Sequence, residues 1–196
     1  MPTIYRMESL FKRSKFFDNN ALRSAQAQAR AANGKMLIIP HLKSAESYSA
    51  DESLERTDPN LFRQIAAKDY DSYINRLGRT IRNTPMLTLV LAEEGSYDKA
   101  AGWLNGMYLN KHIFMSSTIP KDPTPVLSFE TIWSPWYLLA EKMKDLGISK
   151  VYLAGELALY ENAGKTGCVY FARDYLKDDF PVKILPRLTF PGTYQD

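Results

Sequence analysis

One cysteine and two histidines are all that the 196 residues hold of those types. A single thiol permits no internal disulfide, and so few thiol and imidazole ligands leave no zinc site of the usual kind. Long hydrophobic runs are missing too. None approaches the roughly 20 apolar residues that a membrane helix needs, and residues 1–17 lack the continuous apolar stretch of a signal peptide. These absences lead us to expect a protein of the reducing cytoplasm with no membrane segment. Repeats, low-complexity tracts and linker-like stretches are also lacking, so the chain from residue 36 onward reads as one domain, long enough to bury a sizeable core.

Acidic residues are scarce at the start of the chain. Residues 1–35 carry seven Lys or Arg against Glu8 and Asp18, a balance of +5, whereas residues 36–196 come to −2. The chain therefore presents a basic N-terminal extension, 1–35, on a near-neutral body, 36–196. The run from Asn20 to Ala32 is rich in good helix formers, with Asn20 as its N-cap and Gly34 as its stop. A basic helical arm of this kind suits nucleic acid, a nucleotide or another acidic partner.

What is present is an alternation of two periodicities. Short apolar runs at 36–40, 86–92, 112–115, 151–154 and 182–185 predict five strands, and those at 36–40 and 86–92 are continuous enough to be buried on both faces. Between them lie helical patterns. Asp58-Pro59 opens one whose apolar face runs from Leu61 to Leu77, with Gly78 after it. Others cover 98–109, 134–146 (closed by Gly147) and 166–177. The alternation predicts a three-layer α/β/α sandwich with a mostly parallel five-stranded sheet, plus the helical N-terminal extension. Right-handed crossovers place the carboxyl ends of the strands on one rim, where ligands bind. The polar residues at or after those ends are His41, Glu93, Glu94, Ser116, Ser117, Glu156 and Arg187.

Two patterns on that rim carry candidate chemistry. Glu94-Gly95-Ser96-Tyr97-Asp98 follows the second strand, with a carboxylate, a turn glycine and an aspartate at a helix start. Such a set holds a divalent cation or supplies a general base; read plainly, Gly95 makes the turn and Asp98 caps the helix. The second pattern is Glu156 at the end of its strand, then Glu161-Asn162-Ala163-Gly164-Lys165-Thr166 leading into the last helix. There the lysine and the free amides of the helix start suit phosphate; read plainly, it is a solvated loop. AGKT at 163–166 is not a phosphate-binding P-loop, because Leu159 stands where its first glycine belongs.

Together the two patterns resemble the Toprim domain of bacterial-type primases, topoisomerases and small nucleases, over roughly residues 86–190. EGSYD matches that family's Glu-Gly-x-x-Asp, and VYLAGE followed by ENAGKTGCVYFARDYL and VKILP is similar to its later strand, basic helix and strand. The family's Asp-x-Asp is altered: Glu156 takes the first acidic position, Ala158 occupies the second, and Glu161 replaces it only across a short insertion. The resemblance implies nucleic-acid or nucleotide binding, with Mg²⁺ held by Glu94, Asp98, Glu156 and Glu161. It also implies Glu94 as general acid/base, and Lys165 and Thr166 at phosphate. A rival resemblance, to the isochorismatase-like cysteine hydrolases, rests on Ala-Gly at a strand end, Cys168-Val169 entering a helix, and PVKIL. It implies Cys168 as the nucleophile of an amide hydrolase. A non-catalytic binding or assembly protein is the third expectation.

Overall fold

The computed structural model describes residues 4–6, 19–43, 67–93, 96–107, 113–119, 139–156 and 168–190. The strands are β1 (Ile4–Arg6), β2 (Lys35–Ile39), β3 (Leu87–Glu93), β4 (Ile113–Ile119), β5 (Lys150–Glu156) and β6 (Val182–Phe190). The helices are α1 (Asn19–Ala31), α2 (Ala67–Asn83), α3 (Tyr97–Asn105), α4 (helical residues 139–145) and α5 (Cys168–Leu176). The expected α/β class with a parallel sheet holds: six strands lie in the order β1-β4-β3-β2-β5-β6, and every pairing is parallel.

Parallel pairing explains why the central strands read as unbroken apolar runs, since both faces of the sheet are covered. Successive residues of β2 divide between two cores. Met36 and Ile38 pack with Ala25 and Ala29 of α1, Leu139 and Met143 of α4, and Val169, Ala172 and Leu176 of α5. Leu37 and Ile39 pack on the other side with Tyr73, Leu77 and Ile81 of α2 and Ala100 and Leu104 of α3. The three layers are therefore α1/α4/α5, the sheet, and α2/α3.

The winding follows one rule. From β2 to β3 to β4 the chain moves toward one edge, through α2 and α3 on one face. From β1 to β2, β4 to β5 and β5 to β6 it moves the opposite way, through α1, α4 and α5 on the other face. A single crossover hand requires that correspondence of direction and face. The winding reverses between β2 and β5.

Several local expectations change. The basic segment 1–35 supplies an edge strand and a core helix. Ile4, Tyr5 and Arg6 pair with Ile113, Phe114 and Met115, and Ala25, Ala29 and Ala32 are buried. Asn33, at φ 53°, closes α1 with nested bonds from Gly34 N to Ala29 O (2.8 Å) and from Asn33 N to Arg30 O (3.0 Å). Gly78 does not stop α2, which continues to Asn83 and ends before Pro85. A side chain built at Gly78 would come within 3.1 Å of the Trp103 ring, so this glycine lets α2 and α3 approach. β6 runs on through Pro186, which an edge strand tolerates because its outer side needs no ladder donor. No helix among the described residues is long and apolar enough to cross a membrane.

Candidate functional site

The carboxyl ends of β2 and β5 meet at the point where the winding reverses. β2 leaves the sheet through Pro40, His41, Leu42 and Lys43, with φ of 57° at His41 and 66° at Lys43. Such values are uncommon for residues with side chains, so the turn is held by what surrounds it. Leu42 is fully buried and its amide donates to Leu91 O at 3.2 Å, which fixes the turn to β3. The amide of Glu156 donates to Pro40 O at 3.1 Å, which extends the β2–β5 contact beyond the paired strands. That approach requires Gly155. Its φ is 125°, and a Cβ there would lie 2.4 Å from Pro40 O.

Glu156 is the centre of this arrangement. Its side chain is fully buried, and Oε1 accepts hydrogen bonds from Lys43 N at 2.9 Å and from the Tyr70 hydroxyl at 2.8 Å. A buried carboxylate is costly to desolvate unless its oxygens are bonded in this way. One group thus ties the β2 turn, the first turn of α2 and the end of β5 together. Tyr70, Tyr73 and Phe190 stack around it, with Tyr70 edge-on to Phe190 at 5.3 Å and Tyr73 tilted against Phe190 at 5.4 Å. The Lys43 ammonium lies 5.6 Å from the centre of the Tyr70 ring. His41 is buried beside them in sequence.

Tyr73 is the anomaly. Its side chain is fully buried, yet its hydroxyl has no hydrogen-bond partner among the described residues. Burial pushes its pKa well above the ordinary tyrosine value, and the negative charge of Glu156 pushes it further the same way. The site therefore combines one hydrogen-bonded carboxylate with a neutral phenol whose hydroxyl has no partner among the described residues.

The expected site residues separate. Glu156 is at the centre. Asp98 is exposed in the first turn of α3, where an acid complements the helix dipole, and Ser96 rather than Asp98 is the N-cap. Glu94, Glu161, Lys165 and Thr166 lie outside the described residues. Cys168 opens α5, directly after the segment that leaves β5. The strands that lead to Glu94 and that end in Glu156 are not adjacent, because β2 stands between β3 and β5. At the usual spacing those strands are about 9.5 Å apart. Among the described residues no three His, Cys, Asp or Glu side chains group closely enough to hold a metal. Of the remaining polar residues assigned to the rim, Ser116 and Ser117 lie within β4 and Arg187 within β6.

Sequence reading assigned Tyr70 and Tyr73 to the apolar face of their helix and missed their tie to Glu156. The available signal was two tyrosines three residues apart on an otherwise aliphatic face. No protein-family model, no curated protein and no solved structure matches this chain.

Proposed function

We propose that this protein binds a mononucleotide or nucleoside phosphate in the crevice at the carboxyl ends of β2 and β5. The observation that carries the reading is a fully buried carboxylate, Glu156, standing where the winding of the sheet reverses. Open α/β sheets bind their ligands at that point. From β2 onward the order β4-β3-β2-β5-β6 is the 3-2-1-4-5 arrangement of nucleotide-binding doubly wound sheets, a fold-level analogy that supports the ligand class. A dinucleotide is disfavoured: the turn after β2 carries no glycine, and the next glycine in the chain is Gly78, so no glycine-rich turn cradles a pyrophosphate there.

In this reading Lys165 and Thr166, just ahead of α5, bind phosphate together with the free amides of that helix start. Glu156 and the unpartnered Tyr73 hydroxyl receive the polar groups of the ribose or base. Magnesium, if required, travels with the phosphates and takes one or two carboxylates, such as Glu94 or Glu161. Glu156 is poorly suited to be its main ligand, since Oε1 already accepts two hydrogen bonds. Titration calorimetry with nucleoside mono-, di- and triphosphates, with and without Mg²⁺, tests the reading. Wild type should bind at least one of them, and Glu156→Gln should bind at least tenfold more weakly, about 1.4 kcal/mol. Absence of binding by folded wild type, or equal binding by the variant, removes it.

A second reading rests on Cys168 as the first residue of α5. A helix N-terminus lowers a thiol pKa and favours the thiolate nucleophile of a cysteine-dependent amide hydrolase. The chain has one cysteine, so alkylation reports this site alone. Rapid reaction with iodoacetamide near neutral pH supports it, and slow reaction excludes it.

A further inference from the structure

The outer face of α2 carries Arg76, Arg79 and Arg82, all exposed, in its last two turns. The same flank of the molecule includes the edge strand β6. Tyr73 stacks on Phe190, and one helical turn later Arg76 Nε donates to Arg187 O at 3.2 Å. As α2 advances, β6 therefore retreats beside it, and Arg79 and Arg82 lie toward the end of β6 that carries Lys183. Lys183 and Arg187 are exposed as well. The five cations form a basic band over the exposed face of α2 and the adjoining β6, with Arg82, one turn after Gly78, on the side nearer α3. Arg76 to Arg82 spans about 9 Å of helix, and Lys183 to Arg187 covers less than a regular strand of five residues would, because β6 bulges between Ile184 and Thr189.

Among the described residues no carboxylate pairs with any of the five, whereas the cations of α4 and α5 on the other face are answered locally. There Lys142 pairs with Asp145, Lys144 with Asp179, and Arg173 and Lys177 with Asp174. Arg23 and Arg30 of α1 are also exposed, but they stand seven residues apart on a helix of the opposite layer.

We propose that the α2–β6 flank binds a nucleic-acid backbone. The exposed polar residues beside the helix arginines are Asp71, Ser72, Asn75 and Asn83, with Thr80 half-buried; all but Asp71 can bond phosphate or sugar, and none is an apolar anchor. The core of a stable protein interface is usually apolar, and stable membrane anchoring takes an apolar or lipid element besides a basic patch. Phosphate contacts need neither. Strand addition by a protein is further opposed by Pro186, Lys183 and Arg187 on the open edge of β6. Arginine forks suit phosphate oxygens, and about 9 Å of helix matches the rise of roughly three nucleotides along a strand. This surface is independent of the proposed nucleotide crevice, which lies at the opposite end of α2.

Fluorescence anisotropy of the full chain with a labelled single-stranded dT20, over a series of salt concentrations, tests the proposal. Wild type should bind, with affinity falling steeply as salt rises. In Arg79→Ala/Arg82→Ala the slope of log K against log salt should shrink by about 1.4, at roughly 0.7 per phosphate contact. Affinity near 0.1 M salt should fall about fivefold for each arginine removed. Arg23→Ala/Arg30→Ala should bind within twofold of wild type. If the double variant on α2 fails to melt like wild type, Arg187→Ala serves in its place with about a fivefold loss expected. Failure of wild type to bind at 50 mM salt, unchanged binding by the α2 variant, equal loss in the α1 variant, or binding to anionic vesicles but not to dT20 would each overturn it.

Discussion

Tyr70 and Tyr73 are one helical turn apart and make opposite predictions. The Tyr70 hydroxyl donates to the buried carboxylate of Glu156, and a hydrogen bond to a charged acceptor is worth about 1.5–3 kcal/mol. Tyr70→Phe should lower unfolding stability by about that amount in a denaturant titration. Among the described residues the Tyr73 hydroxyl has no partner, and an unsatisfied buried hydroxyl costs about 1–3 kcal/mol. Tyr73→Phe should therefore leave stability unchanged or raise it by about 1 kcal/mol. High pH separates the two proteins further. The folded pKa of Tyr73 is raised, so above about pH 10 the unfolded chain loses this proton while the folded chain keeps it. Its contribution is complete below that pH and is lost as pH climbs toward the folded value. Wild type should lose stability relative to Tyr73→Phe across that range. A Tyr73→Phe variant that is less stable at neutral pH would show that the hydroxyl is bonded.

At the scale of elements, the close contact of β5 with the turn after β2 rests on Gly155. Its backbone conformation belongs to glycine, which alone costs an alanine about 1–3 kcal/mol, and the added carbon would collide with Pro40 O. Gly155→Ala should shift the denaturation midpoint by at least that cost with the slope unchanged, and should weaken any ligand held by Glu156. The sequence announced much of this architecture. β2, β3 and β5 were legible because burial on both faces demands unbroken apolar runs, and Gly34 and Gly147 marked helix ends because both adopt positive φ. Gly78 misled, since the same residue type that ends a helix also allows two helices to touch. β1 was hidden because Ile4-Tyr5-Arg6 is too short for a periodic signal and takes its identity from pairing with β4. Glu156 was legible as a polar residue at a strand end. Its partners were not, because strand order decides which turns and helices meet there.

For the whole molecule, the segment before residue 35 is the decisive case. Composition marks it as a basic arm, which predicts that its removal leaves the body intact. The structure places its helix α1 in the core. Ala25 and Ala29 pack with Met36, Ile38, Leu87 and Leu89, and Ser149 N and Lys150 N both donate to Gly34 O at the start of β5. β1 also closes one edge of the sheet by pairing with β4. Removing residues 1–34 would expose one face of the central strands to water. A fully buried aliphatic side chain contributes about 1.5–3 kcal/mol, while a whole domain is stable by only about 5–15 kcal/mol. Four such side chains, even half exposed, take away a large part of that margin. The truncated chain should therefore show no cooperative thermal transition and should bind a hydrophobic dye, where the full chain melts in one step. Loss of nucleic-acid binding on the same truncation would then report unfolding and say nothing of an arm. That is why the α2–β6 band has to be tested by surface substitutions in the full chain. A cooperative melt of the truncated protein within a few degrees of the full chain would return residues 1–34 to the status of an appendage.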